Sequence, residues 1–330
     1  MDPANVRIGT TTGPRRGRYT GPNVEVDTDV DEVGATGLMT AAIRADESGR
    51  PDRMCDDPFA RHFAGAVGRE LLAELDLDNE PVGEPVAVVT GQAPVGHVRV
   101  PSGSATRGFV ALRTRFMDHT LSAAIAQEPG AQVVILAAGM DSRAYRLPVL
   151  TDVRVYELDR PAVLEYKQRV LDRLGARPYA ERRPVPADLA QSWATRLTAA
   201  GFQPGRPSVW LAEGLLYYLA PEHVTALLAG IATMSTPGSR LAVDMVNADM
   251  LAVPETQHML RRYEKWGCPW QFGTNQPARL LARYGFSTTV HRPGVPPYDH
   301  PRWPLPVAPP GTPNIPGSFY LDAVRDGPAY

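Results

Sequence analysis

The sequence lacks a strong charge of either sign and lacks long apolar runs. Its 34 basic and 36 acidic residues give a formal net charge of −2, and only two of the basic residues are lysine. So small a net charge gives no electrostatic reason to expect a nucleic-acid or membrane partner. No apolar run reaches the ~18 residues of a membrane-spanning helix, and the N-terminus lacks the apolar core of a signal peptide. We therefore expect a cytoplasmic protein that binds neither nucleic acid nor a membrane.

Cysteine is equally scarce. Cys55 and Cys268 are the only two, and neither belongs to a CxxC motif or a Cys/His cluster. A structural zinc site needs four clustered ligands, most often Cys and His. The sequence therefore predicts no bound metal.

The chain divides by composition into three regions. Residues 1–34 contain few large apolar side chains, which predicts a disordered arm. Residues 35–130 contain helical patterns, in which Asp57 before a proline is suited to capping a helix, and a loop rich in Gly, Pro and Val at 84–104. Residues 131–330 alternate between strand and helix patterns. We expect 35–330 to form a single domain, with a helical cap at 35–130 and an α/β core at 131–330.

The alternating region predicts a mostly parallel sheet. The strand patterns "QVVIL", "VRVYEL", "VWLA" and "SRLAVDMVN" are separated by helical segments, which is typical of parallel strands covered by helices on both faces. The last two patterns, "STTVHR" and "FYLDAVR", have no helix between them. We expect these two to pair antiparallel, joined by the proline-rich segment 293–316.

In such a sheet, ligands bind at the carboxyl ends of the strands. The first predicted strand ends at Ala137, Ala138 and Gly139. Small side chains let a ligand approach the backbone, and Gly139 tolerates backbone angles that other residues avoid. A turn without a ligand explains the same residues. A dinucleotide fingerprint would contain three glycines, so an NAD-dependent dehydrogenase is disfavoured.

The second predicted strand ends at Asp159, 20 residues after Gly139. At this offset a carboxylate binds ribose hydroxyls in nucleotide-binding α/β folds. Glu157 is a competing candidate because it points to the same side of the strand. Asp159 could instead cap the helix that begins at Pro161.

Two further strand ends and one upstream helix carry polar candidates. Asp188 and Leu189 could contact an adenine base, although a surface turn explains them as easily. Glu213 follows the central "VWLA" strand, and a buried carboxylate needs either a ligand or a structural partner such as Arg143 or Arg146. Arg113 is suited to binding a carboxylate through two hydrogen bonds, and the alternative for it is a solvated helix face.

Together these motifs resemble the leucine carboxyl methyltransferase family, particularly its bacterial branch of polyketide O-methyltransferases. The resemblance covers residues 35–325 and rests on "DDPFA", "RTRFMD", "VVILAAGMDSRAYRL", "VYELDRPAVLEYK", "ADL" and "AEGLLYYL". It implies an α/β, Rossmann-like class I methyltransferase fold. In that fold a seven-stranded, mostly parallel sheet has an antiparallel last strand and carries a helical N-terminal cap. The implied cofactor is S-adenosyl-L-methionine, with S-adenosyl-L-homocysteine as product.

The resemblance also assigns six residues to the cofactor. They are Arg113 for the methionine carboxylate, Gly139 for the methionine end, Asp159 for the ribose, Asp188 with Leu189 for the adenine, and Glu213 near the amino group. The family often has Gly where Ala137 or Ala138 stands here. The N-terminal arm and the proline-rich segment are particular to this chain.

The implied activity is O-methylation of a small molecule, at a carboxyl or a phenolic or enolic hydroxyl of a secondary metabolite. The alternatives are N- or C-methylation on the same scaffold, or a protein that binds the cofactor without turnover. A carboxylate needs no base, whereas a phenol with a pKa near 10 gains from one. His258 is the candidate base, and Tyr217 is the candidate residue of the acceptor pocket. We expect a small-molecule acceptor as partner, and a homodimer is compatible with this kind of enzyme.

Overall fold

The computed structural model describes residues 19–21, 24–26, 32–77, 88–90, 93–95 and 102–327. The strands are β1 (Tyr19–Gly21), β2 (Val24–Val26), β3 (Val88–Thr90), β4 (Ala93–Val95), β5 (Gln132–Leu136), β6 (Arg154–Asp159), β7 (Glu181–Pro186), β8 (Ser208–Ala212), β9 (Arg240–Val246), β10 (Phe286–His291) and β11 (Ser318–Arg325). The α-helices are α1 (Glu32–Ser48), α2 (Ala60–Leu77), α3 (Ser102–Gln127), α4 (Arg143–Arg146), α5 (Pro161–Arg173), α6 (Trp193–Ala199), α7 (Pro221–Met234), α8 (Asp249–Ala252), α9 (Gln257–Lys265) and α10 (Pro277–Ala282).

Seven strands form one sheet in the order β10-β11-β9-β8-β5-β6-β7. The pairs β5–β6, β6–β7, β5–β8 and β8–β9 are parallel, whereas β11 runs antiparallel to both of its neighbours. The predicted seven-stranded sheet with an antiparallel last strand is therefore confirmed. The strand order reverses between β5 and β8, which places a switch point at the centre of the sheet.

The central strand β5 is buried along its whole length, and apolar from Val133 to Leu136, because helices cover both faces of the sheet. Val133 and Ile135 belong to one hydrophobic cluster, together with side chains of α1, α2, α3 and α5. Val134 and Leu136 belong to the other, together with side chains of α6 and α7. The alternation of β-strand side chains thus divides the core into two layers. We call α1, α2 and α3 the cap helices.

The connection between β10 and β11 is tied to the cap helices. Tyr298 packs edge-on against Phe116 of α3 at a ring-centroid distance of 5.2 Å. Arg302 donates to Glu47 Oε2 at 3.0 Å and to Asp52 Oδ2 at 2.8 Å. The proline-rich segment therefore holds the end of α1 against the antiparallel end of the sheet.

Several boundaries differ from those expected. The predicted loop at 84–104 contains β3, β4 and the start of α3, and its other residues lie outside the described part of the chain. The predicted arm at 1–34 contains β1, β2 and the start of α1, and the rest of it also lies outside the described residues. Helices α6, α8 and α9 are not predicted because each is shorter than ten residues, too short for a periodic pattern to stand out. None of the described helices combines the length and apolar character that crossing a bilayer requires.

The packing of α1 on α2 depends on a glycine. A Cβ atom at Gly68 would lie 2.3 Å from the backbone oxygen of Leu38, whereas a Cβ at Gly37 would meet nothing within 4 Å. We expect Gly68→Ala to destabilise the fold by about 1–3 kcal/mol because the two helices must separate. Gly37→Ala, the matched control on the facing helix, should be neutral or stabilise by up to about 1 kcal/mol. Chemical denaturation measures both, and equal stabilities of the two variants would contradict this packing.

Candidate functional site

A cavity of about 370 Å³ lies at the switch point, between the carboxyl ends of the parallel strands and the cap helices. Seven of the eight residues that the sequence nominates line it: Arg113, Gly139, Asp159, Asp188, Leu189, Glu213 and Tyr217. The eighth, His258, lies elsewhere. The volume falls in the range that small-molecule and cofactor sites occupy.

The turn after β5 lines the cavity and has an unusual backbone conformation. Ala137 and Gly139 have φ angles of 48° and 44°, in the left-handed region. For Ala137 this conformation costs on the order of 1 kcal/mol, because its Cβ crowds the backbone.

Asp159 joins the first two strand ends. Its Oδ2 accepts a hydrogen bond from the Gly139 N–H at 2.7 Å, and its Oδ1 accepts one from the Arg160 N–H at 2.7 Å. The capping alternative is wrong, because the N-cap of α5 is Arg160 and no side chain caps the helix. Burial raises the pKa of Asp159, and the two backbone hydrogen bonds only partly offset that effect.

The competing carboxylate, Glu157, faces a different set of partners. It is fully buried, and its Oε2 accepts hydrogen bonds from Lys167 Nζ and Arg182 Nε, both at 2.8 Å. Glu157 does not line the cavity. This ion cluster explains why a lysine is buried in α5, and it leaves Asp159 as the carboxylate of this strand that faces the cavity.

Asp188 and Leu189 form the far end of the cavity. The Asp188 carboxylate accepts hydrogen bonds from the Ala190 N–H and from Gln191 Nε2, both at 2.9 Å. Asp188 is exposed and Leu189 half-buried. The side chain of Asp188 therefore stabilises its own turn, while both residues line the cavity.

Glu213 is held between two arginines at the centre of the cavity. Arg113 Nε donates to Glu213 Oε1 at 3.0 Å, and Arg143 Nη1 lies 2.8 Å from Glu213 Oε2. Arg113 is 5% exposed, so the solvated-face alternative is wrong for it, whereas Arg115 on the same helix is exposed. Burial alone would raise the pKa of Glu213, but the guanidinium groups of Arg143, Arg113 and Arg44 outweigh it and lower the pKa to about 2.

The ion pairs continue from the sheet into the cap helices. Asp118 of α3 accepts two hydrogen bonds from Arg146, at 2.6 and 2.7 Å, and one from Arg143 Nε at 2.7 Å. Asp57 accepts from Ser142 Oγ at 2.7 Å and from Arg44 Nε at 2.9 Å. Burial would raise the pKa of Asp57, but Arg44 and Arg146 lower it below its usual value. Asp57 therefore stays ionised, and the contacts of both carboxylates fix the cap helices to the turn after β5.

Arg44 contributes directly to the same attachment. Its Nη2 donates to the backbone oxygen of Met140 at 2.7 Å, across 96 residues of sequence. The sequence nominated neither Arg44 nor Asp118, and it suggested only a helix cap for Asp57. No local motif marks them, because each pairs with a residue distant in the chain.

Tyr217 and Tyr218 form an aromatic side of the cavity. The ring of Tyr217 lies 4.3 Å from that of Trp270 and 4.8 Å from that of Tyr218, centroid to centroid. Arg113 Nη1 donates to the Tyr217 hydroxyl at 2.9 Å. Burial raises the pKa of both phenols well above 10. Both tyrosines therefore remain protonated at neutral pH and do not act there as bases.

The structure does not bring His258 to the cavity. It is exposed on α9, where its Nε2 lies 3.2 Å from Arg262 Nη2. Helix α9 buries Tyr263, and residues five apart lie about 140° apart around a helix. His258 therefore faces away from the side of α9 that packs on the protein.

Asp244 is not among the predicted site residues, although the sequence marks it clearly. It lies in the middle of β9 and is fully buried, and it accepts hydrogen bonds from Gly214 N–H at 2.6 Å and Arg113 Nη1 at 3.4 Å. Burial raises its pKa, with Arg113 and Gly214 opposing the shift. An aspartate inside the apolar run "LAVDMV" signals a buried carboxylate that needs partners.

The sheet order, the antiparallel last strand and a cavity at the switch point together define a class I methyltransferase fold. The chain belongs to the leucine carboxyl methyltransferase family, whose sequence pattern matches residues 37–232. It is therefore a methyltransferase, as the sequence predicts.

Relatives and solved structures agree with this assignment. A curated protein of Mycolicibacterium gilvum (strain PYR-GCK), "Putative S-adenosyl-L-methionine-dependent methyltransferase", is 39% identical over 285 residues, which are 77% of this chain and 87% of the relative. A protein of the same name from Mycobacterium sp. (strain KMS) is 44% identical over 213 residues, 64% of this chain and 67% of the relative. The crystal structure of a DUF574 family protein from Streptomyces avermitilis covers 88% of this chain and 97% of that chain, at 14% identity and a TM-score of 0.57, and it supports the fold.

The ion pairs of Glu213 make stability depend on pH. Its pKa falls from the usual 4.5 to about 2 on folding, so its stabilising contribution is complete above pH 4.5 and is lost as the pH falls toward 2. We expect Glu213→Gln to lower the free energy of unfolding by about 3–5 kcal/mol near neutral pH. The difference in unfolding free energy between Glu213→Gln and the wild-type chain should shrink by about 1.4 kcal/mol for each pH unit below 4.5. Denaturation at about pH 7 and about pH 3.5 measures it.

The matched control is Glu222→Gln, at an exposed glutamate of α7 outside the cavity. It should change stability by less than about 0.5 kcal/mol at either pH. A Glu213→Gln deficit that does not change with pH would show that the carboxylate is not held ionised by the two arginines.

Proposed function

We propose that this protein transfers the methyl group of S-adenosylmethionine to an ionised oxygen, in the first place a carboxylate, of a small secondary metabolite. The observation that supports it most directly is the cavity at the switch point, in which Asp159 accepts the Gly139 N–H while facing the ligand space. In nucleotide-binding α/β folds a carboxylate at this offset binds ribose hydroxyls.

The charges around the cavity fit this cofactor. The connected ion pairs contain four arginines and five carboxylates, namely Arg44, Arg113, Arg143 and Arg146 with Asp57, Asp118, Asp141, Glu213 and Asp244. With all of them ionised, the network carries one negative charge. S-adenosylmethionine carries one net positive charge, since its sulfonium and ammonium outnumber its carboxylate. Arg113 and Glu213 are the residues that we assign to the cofactor's carboxylate and amino groups.

The acceptor class follows from which groups line the cavity. Among the described residues of its wall there is no histidine, lysine or cysteine. Its two tyrosines stay protonated, and Asp57 and Glu213 are held ionised by arginines. The described wall thus lacks histidine, the side chain that most often acts as a general base near neutral pH, so an acceptor that is already ionised is favoured. Alkylamines, which are protonated near neutral pH, and acceptors with an acidic C–H bond must first lose a proton, so both are disfavoured for the same reason.

In the reaction, a lone pair of the acceptor oxygen attacks the methyl carbon in line with the carbon–sulfur bond. That bond breaks and its electron pair remains on sulfur, which gives neutral S-adenosylhomocysteine. No proton moves when the acceptor is a carboxylate. The protein then contributes by placing the two reactants in line and by excluding water.

Loss of the Asp159 charge should weaken cofactor binding. We expect Asp159→Asn to raise the Kd for S-adenosylmethionine by roughly 10- to 100-fold, since a charged hydrogen-bond acceptor contributes about 1.5–3 kcal/mol. Asp172→Asn, at an exposed aspartate of the neighbouring α5, is the matched control and should leave affinity within about twofold. Titration calorimetry measures both. Unchanged affinity of Asp159→Asn would remove the ribose assignment.

The dependence of the rate on pH separates a pre-ionised acceptor from one that needs a base. For a carboxylic acid acceptor, kcat/KM should be constant from about pH 6 to about pH 9, because the acceptor ionises near pH 4. A panel of small aromatic and aliphatic carboxylic acids and matched phenols is assayed for formation of S-adenosylhomocysteine. Turnover of phenols alone, with a rate that rises through a pKa near neutrality, would assign a general base and contradict the proposal.

A further inference from the structure

We propose that Asp244 is a positioning residue that sets the cofactor-binding geometry of Arg113 and Glu213 from beneath the cavity. This inference rests on the proposed function, because the affinity that it affects is that for S-adenosylmethionine. Asp244 is fully buried and is absent from the cavity wall. It therefore acts through residues that reach the ligand space.

Both carboxylate oxygens of Asp244 accept hydrogen bonds from residues that line the cavity. Oδ1 accepts the Gly214 N–H at 2.6 Å, and Oδ2 accepts from Arg113 Nη1 at 3.4 Å. Gly214 directly follows Glu213 at the end of β8, whereas Arg113 lies on α3. One carboxylate thus joins a strand end of the sheet to a cap helix.

The absence of a side chain at Gly214 leaves room for the Arg113 guanidinium. Its φ angle is +63°, and a Cβ there would lie 3.0 Å from Arg113 Nη1 and 3.3 Å from the Tyr217 hydroxyl. The guanidinium therefore packs directly over the glycine backbone, while Asp244 holds the N–H of the same residue. With its Nε on Glu213 and its Nη1 on Tyr217 and Asp244, Arg113 has three acceptors that fix its plane.

The location of Asp244 supports a role beyond packing. Its neighbours along β9 are the buried apolar residues Val243 and Met245, and burying a carboxylate costs several kcal/mol unless its partners compensate. A neutral side chain of similar size would avoid that cost if the position served only to fill space. A charged side chain at this position is explained by its interaction with the Arg113 guanidinium, which it orients.

The test is a double-mutant cycle read by calorimetry with S-adenosylmethionine on the full chain. Asp244→Asn keeps an oxygen for the Gly214 N–H but removes the charge beside Arg113, and we expect it to weaken binding at least about tenfold. In an Arg113→Met background the same change should alter the Kd by less than about threefold, because the two residues act as one unit. The matched control is Asp322→Asn on the adjacent β11, where the carboxylate pairs with Arg240 at 3.1 Å, and it should stay within about twofold.

Each outcome bears on the inference. Unchanged affinity of Asp244→Asn, or an equal loss in both backgrounds, would overturn it, since an equal loss is what a purely structural defect produces. If Asp244→Asn does not fold, Gly214→Ala replaces it in the cycle, because the added Cβ would displace the Arg113 guanidinium. We expect Gly214→Ala to weaken binding at least about fivefold when Arg113 is present, and not to weaken it in the Arg113→Met background. Equal effects with and without Arg113 would again overturn the inference. Failure of the wild-type chain to bind S-adenosylmethionine would instead contradict the proposed function.

Discussion

The rest of the site depends on one carboxylate, Glu213, whose side chain is 14% exposed and is held between two guanidinium groups at the centre of the sheet. An ionised carboxylate at this depth is costly by itself, so it requires both Arg113 from α3 and Arg143 from the turn after β5. Arg113 also pairs with Asp244, and Arg143 also pairs with Asp118. The network therefore extends from the sheet to Asp118 of α3, and this extension helps to join the sheet to the cap helices.

A consequence is that the cavity is formed by electrostatic attachment as well as by apolar packing. The cap helices bury their apolar faces against one side of the sheet, and hydrophobic contact alone sets no precise register. The directional bonds of Arg44 to Met140 and Asp57 fix where α1 stands over the turn. About one helical turn further on, Arg302 fixes the end of α1 through Glu47. The C-terminal end of α1 is thus held both by the turn after β5 and by the proline-rich segment.

The sequence predicts the features that follow from local patterns. Buried runs such as "QVVIL" give the parallel strands, and the 20-residue offset from Gly139 to Asp159 corresponds to a hydrogen bond of 2.7 Å. What it misses depends on pairing between distant segments. The bond from Arg44 to Met140 leaves no periodic trace in either segment. The structure places His258 away from the cavity. Its position beyond β9 suggested the site, but the sequence does not show which face of a short helix points toward the protein.

The turn after β5 shows how the chemistry of the ligand relaxes a sequence requirement. A dinucleotide pyrophosphate needs several close backbone contacts, and its fingerprint therefore contains three glycines. Here Gly139 donates its N–H to Asp159, and Ala137 accepts a left-handed conformation at a modest cost in energy. In the proposed function, the carboxylate that this turn holds binds ribose hydroxyl groups, and no phosphate has to be surrounded. One glycine is sufficient for that task, and the strain in Ala137 is retained because the ion pairs of Arg143 and Arg146 fix the residues that follow.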